Sequence, residues 1–351
     1  MFKRMPLILA IVSVMITLSL SLVTPTIAET SGAGVAADGR DHSGAPTPSG
    51  LIAFTAGTAS GDQLFTVRPD GTGLRQITQV SGDAVNVDWS ANGKRITFAI
   101  GNDTSARIAV ARADGSDLQV LPQPAGVFDD QPSFTPDGRK IYFERFTVFS
   151  NEDAIWSMTV DGRDQTRILA PFPNGSVTDP NISPDGRTLS FQGSDGSTVG
   201  PPPNLEQAKG LFTADANGRK IRQIRPFSAD ETIKAAWAPD SRRIGVTENA
   251  NHFHPNASAN IVTMRPDGSG LRAVTNFQDP TTNAYLGSYS PDGDWIVYRL
   301  ETRGLFGLYR AHPDGSHIQE ILPLSSFRPS LIDWGRSARE MPDRGGPGEG
   351  S

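Results

Sequence analysis

The 351-residue sequence contains no cysteine. Disulfide bonds, a thiolate nucleophile and a zinc site with cysteine ligands are therefore excluded. The sequence also lacks a Gly-x-Ser-x-Gly nucleophile elbow, a His-Glu-x-x-His zinc motif and a glycine-rich phosphate-binding loop. These absences favour a binding protein over a hydrolase or a nucleotide-dependent enzyme.

Long runs of basic residues are missing as well, and the formal net charge is −6, from 32 Lys and Arg against 38 Asp and Glu. Binding to a phosphate backbone requires clustered lysine and arginine, so nucleic acid is not an expected partner. Glycine and proline, by contrast, are abundant, with 36 and 27 residues. Such a composition is typical of an all-β chain with many tight turns.

The first 28 residues have the pattern of a secretory signal peptide. Lys3 and Arg4 precede an apolar stretch, residues 6–23, and small residues follow up to Ala28. This order predicts export, with cleavage near Ala28. The alternative is an uncleaved signal that remains as a membrane anchor, because the apolar stretch is long enough to span a bilayer. The expected location is periplasmic, cell-envelope or extracellular.

Two further segments have the composition of unfolded chain. Residues 29–49 are rich in Gly, Ala, Ser, Thr and Pro, which predicts a flexible tether. Residues 337–351 include a Gly-Gly-Pro-Gly run and are predicted to form a disordered tail. The folded domain is therefore expected to comprise residues 50–336.

The most regular feature of that domain is a recurring phrase, Ser/Thr-Pro-Asp-Gly. Copies start at Thr135, Ser183 and Ser290, and looser copies start at Ser90 and Ala238. An apolar triplet, a third strand-like segment and a further Asp-Gly or Asn-Gly turn follow each copy, and such turns close tight hairpins. A unit that returns about every fifty residues cannot bury its own apolar faces and has to stack against its neighbours.

The two ends complete the count of repeats. Residues 51–54 form a second-type segment with no first segment ahead of it, and residues 330–335 form a first-type segment with none after it. The sequence therefore predicts an all-β fold, a six-bladed β-propeller of four-stranded antiparallel blades. We expect the C-terminal strand to complete the first blade and close the ring. One aromatic position recurs before the phrase and is predicted to pack between blades: Trp89, Phe134, Trp237, Tyr289 and Trp334.

The phrase resembles the WD40-like PD40 repeat of the TolB family, and residues 51–335 follow the pattern of that repeat. The resemblance implies a TolB-like six-bladed propeller. TolB carries an α/β domain ahead of its propeller; we expect none here, so that domain's partner contacts are not carried over. The same repeat class occurs in propellers of prolyl-oligopeptidase-type peptidases and of polysaccharide lyases, so the resemblance does not name a function.

Propeller topology places the second-to-third loops and the links between blades on one face. The longest and most irregular of them are expected at residues 144–153, 193–210, 248–259 and 275–286. Variable loops on a rigid frame usually carry binding specificity, so this face is predicted to be the working surface. The alternative is that the long loops only fill space.

Candidate binding residues lie in these loops and around the predicted channel mouth: Asp129, Asp130, Asp179, Glu231, Tyr285 and Arg328. Acidic residues on the links to the innermost strands would give the mouth a negative potential and attract a cation or a basic peptide. The alternative is that they belong to ordinary soluble turns.

A metal site is the second candidate. His252 and His254 are two of only five histidines, and they lie together in one long loop. With a carboxylate from a neighbouring loop they would bind zinc or a similar divalent metal. Otherwise they are surface residues, and no cofactor is predicted.

The sequence thus predicts an exported, non-catalytic scaffold that binds a protein, a peptide or an envelope polymer through its long-loop face. A monomer is expected, with membrane contact only through an uncleaved signal. The alternative is a carbohydrate-active or other hydrolase or lyase propeller. Such an enzyme would have an acidic, metal-assisted site at the channel mouth, with its carboxylates and His252 or His254 in the chemistry.

Overall fold

The computed structural model describes residues 49–102, 105–199, 206–228, 233–248 and 257–336. The predicted signal peptide, nearly all of the tether and the tail lie outside these ranges, as do Glu231, His252 and His254. No helix in the described ranges has the length and hydropathy needed to cross a membrane.

The described residues form 26 β-strands. In chain order these are β1 (Leu51–Thr58), β2 (Gly61–Val67), β3 (Arg75–Gln76), β4 (Asp83–Trp89), β5 (Arg95–Asn102), β6 (Ser105–Arg112), β7 (Gln119–Val120), β8 (Val127–Phe134), β9 (Lys140–Thr147), β10 (Glu152–Thr159), β11 (Thr166–Leu169), β12 (Ser176–Ile182), β13 (Thr188–Ser194), β14 (Thr198–Val199), β15 (Glu206–Gln207), β16 (Lys209–Asp215), β17 (Arg222–Ser228), β18 (Ile233–Trp237), β19 (Ile244–Glu248), β20 (Asn260–Met264), β21 (Arg272–Ala273), β22 (Thr282–Tyr289), β23 (Ile296–Thr302), β24 (Leu305–Ala311), β25 (Gln319–Ser325) and β26 (Ser330–Gly335).

Six four-stranded antiparallel sheets are the blades of a propeller. Blade 1 comprises β26, β1, β2 and β3, blade 2 comprises β4 to β7, blade 3 comprises β8 to β11, blade 4 comprises β12, β13, β16 and β17, blade 5 comprises β18 to β21, and blade 6 comprises β22 to β25. A small hairpin of β14 and β15 lies in the second-to-third loop of blade 4. The predicted fold class is confirmed.

The C-terminal strand closes the ring as predicted. Strand β26 pairs antiparallel with β1, and Trp334 lies opposite Ile52. The first strands of successive blades contact one another around the whole circle, from β26 to β4, β8, β12, β18, β22 and back to β26. Each blade therefore buries its faces against two neighbours, and no blade is left at an open end.

Hydrogen bonds between blades reinforce the ring next to the recurrent aromatic position. The backbone N–H of Trp89 donates to Asp333 at 2.9 Å, and that of Phe134 donates to Asp88 at 2.8 Å. In each case the acceptor stands one residue before the aromatic of the preceding blade. The aromatic side chains are buried between the blades, which confirms their predicted packing role.

The recurring phrase forms the turn from the first to the second strand. In blade 4 the Ser183 hydroxyl donates to the Asp185 carboxylate at 2.6 Å, and the backbone N–H of Arg187 donates to the same oxygen at 3.0 Å. Gly186 has a φ of 72°, a conformation that glycine adopts without strain. The Ser183 hydrogen bond is the main reason that the pKa of Asp185 lies below its usual value.

Two of the loops expected to be long are shorter than predicted. Strand β9 runs to Thr147 and β10 starts at Glu152, so most of residues 144–153 is paired strand and only four residues connect the two. Asp153 pairs with Phe146 across this hairpin. Strand β22 likewise starts at Thr282, inside the predicted loop 275–286.

The outermost strands differ in length. Strands β3, β7 and β21 have two residues each, whereas β17 and β25 have seven. Both seven-residue strands contain a proline, Pro226 in β17 and Pro323 in β25. Proline has no backbone N–H and is tolerated in sheets mainly at edges.

Candidate functional site

A β-bulge in the first strand of each blade shapes the central channel. In blade 3, for example, the pairing of β8 with β9 shifts between Asp130 and Ser133, so that two residues of β8 oppose one residue of β9. Four non-glycine residues at the bulges have positive φ, between 49° and 56°: Asn86, Gln131, Asp179 and Leu331. Such strained backbone is concentrated at functional sites in many proteins.

One cross-strand pair close to the bulge is acidic in one blade and contains an arginine in the blade on the opposite side of the ring. In blade 3 the pair is Asp130 and Glu144, and in blade 6 it is Tyr285 and Arg299. The first member of each pair stands four residues before the buried aromatic, so the positions are equivalent. Blades 3 and 6 are three steps apart in a ring of six, and the pairs therefore lie across the channel from each other.

We call the blade 3 side the acidic corner, defined by Asp130, Glu144, Asp153 and Asp179. Asp130 accepts hydrogen bonds from the Asn86 side chain of blade 2 at 2.8 Å and from the backbone N–H of Gln131 at 2.7 Å. Gln131 in turn accepts from the backbone N–H of Asp179 in blade 4 at 2.5 Å. The bulges of three consecutive blades are thus linked.

Burial decides the charge of the acidic corner. It raises the pKa of Glu144 well above the usual value, and the charges of Asp153 and Asp130 raise it further. Burial also raises the pKa of Asp153 to about 6, although the positive charge of Lys209 opposes the shift. Carboxyl groups this close relieve their mutual repulsion by binding a proton. Near neutral pH the corner therefore carries less negative charge than four carboxylates would.

Asp129, one residue before Asp130, has a different environment. Its two oxygens accept from the Arg145 guanidinium at 2.6 and 2.7 Å, and both side chains are only 3% exposed. Arg145 also donates to Gln165 and lies 4.9 Å from the Trp156 ring centroid. A bidentate, fully buried pair of this kind supports the packing of blade 3.

The opposite side is the arginine corner, defined by Tyr285, Arg299 and Arg328. The Arg299 guanidinium lies over the Tyr285 ring, 4.2 Å from its centroid, and the residue is 8% exposed. It donates to the Ser330 hydroxyl at 3.0 Å and to the Pro329 carbonyl at 3.4 Å. Ring and loop atoms from blades 6 and 1 therefore hold it in place.

The ionic environment of Arg299 is incomplete. A Glu301 oxygen lies 3.6 Å from an Arg299 nitrogen, too far for a hydrogen bond. That Glu301 oxygen and the Arg299 Nε are both buried without a hydrogen-bond partner. Burial lowers the pKa of Arg299 to about 10, with a further contribution from the positive charge of Arg328. Arg299 nevertheless stays charged at neutral pH.

Arg328 stands on the link between β25 and β26, 5.2 Å from the Phe306 ring centroid. Asp62 of blade 1 faces it: burial raises the pKa of Asp62, the charge of Asp83 raises it further, and the Arg328 charge opposes both. Asp83 accepts from the backbone N–H of Asp62 at 2.8 Å. Two guanidinium groups and three carboxyl groups thus meet at this corner.

The structure brings together two sets of the predicted binding residues. Asp130 and Asp179 share the acidic corner, and Tyr285 and Arg328 share the arginine corner. Glu144 and Arg299, the central residue of each corner, were not predicted. Both stand three residues after the start of the apolar triplet, and cross-strand pairing with a predicted residue is the signal that would have found them.

No three His, Asp or Glu side chains within the described ranges are grouped closely enough to hold a metal ion. The predicted ligands His252 and His254 are outside those ranges, as is Glu231.

Comparison with known proteins shows which proteins the repeat resembles. Residues 36–185 match the model of the TolB beta propeller domain. The Tol-Pal system protein TolB 1 of Novosphingobium aromaticivorans is 33% identical over 88 residues, which cover 25% of this chain and 18% of that protein. The uncharacterized peptidase YuxL of Bacillus subtilis is 24% identical over 199 residues, which cover 48% of this chain and 28% of that protein. The chain thus matches less than a third of the length of either relative.

Solved structures agree on the fold. TolB from Acinetobacter baumannii superimposes with a TM-score of 0.64 at 16% identity, over 83% of this chain and 67% of that one. An oligogalacturonate lyase in complex with manganese superimposes with a TM-score of 0.52 at 11% identity, over 78% and 74% of the two chains. Likenesses at such identities concern the fold alone.

Proposed function

We propose that this chain, a TolB-like six-bladed β-propeller of PD40 repeats, is a non-catalytic scaffold that binds a protein, a peptide or an envelope polymer at its channel mouth. One observation carries the proposal. The rigid ring presents an acidic corner and an arginine corner at equivalent positions on opposite sides of one opening. A surface that holds acidic and basic groups in defined positions selects its partner by electrostatic complementarity.

Two further observations support a partner in the cell envelope. The first 28 residues have the pattern of a secretory signal, which supports a location outside the cytoplasm. One relative is named Tol-Pal system protein TolB 1, and a protein of a named system is expected to act with other members of it. We therefore favour a protein or peptide partner and an exported location.

The proposal is tested by capture from an envelope extract on immobilised protein. The mouth variant combines Asp179→Asn with Arg328→Gln, which alters one charge at each corner. The matched control combines Asp240→Asn with Arg242→Gln, the same charge changes in an exposed turn on the opposite face. We expect a partner that the wild type and the control retain and the mouth variant loses. Equal retention by all three proteins would reject the channel mouth as the binding surface.

A second candidate function rests on Glu144 and Asp153. Two neighbouring carboxyl groups with raised pKa are the arrangement that acid–base catalysts use. An assay on polygalacturonate and other acidic polysaccharides, with Mn²⁺ or Zn²⁺ added, separates the two functions. The scaffold proposal predicts no turnover. Turnover that Glu144→Gln abolishes would replace it with a lyase or a hydrolase.

A further inference from the structure

Arg299 is a buried cation whose pairing is incomplete. Lysine and carboxyl groups escape the cost of burial by changing their protonation, but a guanidinium does so only at very high pH. Buried charges are normally paired and hydrogen bonded, and each exception calls for an explanation. In this corner the Arg299 Nε lacks an acceptor, and the Glu301 oxygen beside Arg299 lacks a donor.

We infer that the arginine corner binds the side-chain carboxylate of an acidic residue in a partner peptide, between Arg299 and Arg328. This inference rests on the proposed function and specifies the chemistry of its ligand. A carboxylate supplies the missing acceptor for the Arg299 Nε, and the second guanidinium supplies a second positive charge.

The guanidinium groups are positioned before any ligand arrives. Tyr285 lies against Arg299, and Phe306 lies against Arg328. Stacking on an aromatic ring fixes the plane of a guanidinium and leaves its N–H edge for a carboxylate, which it binds with two parallel hydrogen bonds. Little conformational entropy is therefore lost on binding.

In the free protein, Glu301 occupies the role that we assign to the ligand carboxylate. Its carboxylate balances part of the charge of Arg299, but at 3.6 Å it makes no hydrogen bond to it. The Glu301 side chain is 26% exposed, so a ligand can approach it from solvent. Asp62 faces Arg328 from blade 1 and balances part of its charge.

A peptide fits the two unsatisfied atoms better than an isolated anion does. The Arg299 Nε needs an acceptor, whereas the Glu301 oxygen needs a donor. An acidic residue in a peptide brings both, since its carboxylate accepts and a backbone N–H near it donates. A phosphate or an acetate ion brings acceptors only.

The probe is a tetraglutamate peptide, acetylated at its N-terminus, amidated at its C-terminus and fluorescently labelled. Anisotropy titration against the intact protein measures its affinity, with labelled tetraglutamine as the neutral control. We expect tetraglutamate to bind and tetraglutamine not to bind. Arg328→Gln should weaken binding about tenfold or more, because it removes a charge-assisted contact. Arg299→Lys should weaken it similarly, because lysine keeps the charge but loses the bidentate geometry.

Glu301→Gln is the most diagnostic variant. It removes the competing negative charge and keeps an amide oxygen that still accepts a hydrogen bond from the peptide, so it should tighten binding about threefold, whereas a merely structural Glu301 would leave affinity unchanged or lower it. Arg303→Gln is the charge control, since Arg303 is exposed in the neighbouring turn on the same face. We expect Arg303→Gln to change affinity less than twofold, about the effect of a distant screened charge.

Three results would overturn the inference. The first is that tetraglutamate does not bind. The second is that it binds Arg328→Gln as tightly as the wild type. The third is that trigalacturonate binds on its own and displaces it, which would assign the corner to an acidic sugar. The envelope capture separates this failure from that of the proposed function. If the captured partner is lost from the mouth variant but retained by Arg328→Gln alone, the scaffold function stands and the carboxylate site is rejected.

Discussion

The two corners of the channel mouth occupy the same place in the repeat and respond to burial in opposite ways. Asp130 and Glu144 in blade 3 correspond to Tyr285 and Arg299 in blade 6. The carboxyl groups of the acidic corner have raised pKa values and reduce their charge by holding protons. Arg299 keeps its charge and is left with an imperfect counter-ion. One corner is thus adjustable by pH, whereas the other depends on an added partner.

Arg145 is the reference for Arg299, because it is a buried arginine whose pairing is complete. Asp129→Asn would leave its guanidinium buried beside a neutral amide. Removal of one charge from a buried pair typically costs about 3–5 kcal/mol. We expect the free energy of unfolding, measured by urea denaturation, to fall by an amount of that order. A loss below about 1 kcal/mol would show that Arg145 finds other partners or reaches solvent.

The pH dependence of stability is the next largest effect. Folding raises the pKa of Asp153 to about 6 and that of Glu144 well above its usual value, so their contribution to stability is present at acidic pH and is lost as the pH rises through these raised pKa values. Asp153→Asn removes one of these groups. Between pH 5 and pH 8, we expect the free energy of unfolding of Asp153→Asn to fall by about 1 kcal/mol less than that of the wild type.

Asp137→Asn is the control for the pH series. Asp137 lies in an exposed turn, and a hydrogen bond from Thr135 is the main reason that its pKa is lowered. Its contribution is therefore lost as the pH falls, the opposite direction. Parallel pH profiles for wild type and Asp153→Asn would mean that the acidic corner does not titrate in this range.

The smallest effect is expected for Glu301→Gln, the matched isosteric change at the arginine corner. Because Glu301 makes no hydrogen bond to Arg299, its loss should change the free energy of unfolding by less than about 1 kcal/mol. Urea denaturation of Glu301→Gln and Asp129→Asn under the same conditions compares their losses of unfolding free energy directly. Equal losses for the two variants would contradict the view that the Arg299 pair is incomplete.

Much of the fold was predictable because the repeat fixes turns and apolar triplets at regular intervals. The unmatched segments at residues 51–54 and 330–335 predicted that Trp334 would pair beside Ile52, as it does. The bulges were not predicted. Gln131 and Leu331 adopt positive φ although neither residue type favours it, and both lie within the bulges of their strands, which the repeat pattern does not reveal.

The site was harder to predict because its central residues follow no repeat. The position of Glu144 is occupied by Ala99 in blade 2, Gln192 in blade 4 and Arg299 in blade 6. A position that varies this freely gives no periodic signal. Asp129 was predicted as a binding residue together with its neighbour Asp130, but only Asp130 lies in the acidic corner. Arg145 on the next strand pairs with Asp129 and holds it in the interior.

The prolines of the outermost strands limit how this protein assembles with others. Pro226 and Pro323 each interrupt the row of N–H donors along a seven-residue rim strand, and three of the other rims present only two residues. An incoming β-strand from another chain would find too few donors in register to extend these five blades outward; the four-residue β11 of blade 3 is the exception. Most of the circumference is thereby protected from edge-to-edge aggregation, and a partner is directed to the two faces of the propeller, where side chains rather than backbone decide what is recognised.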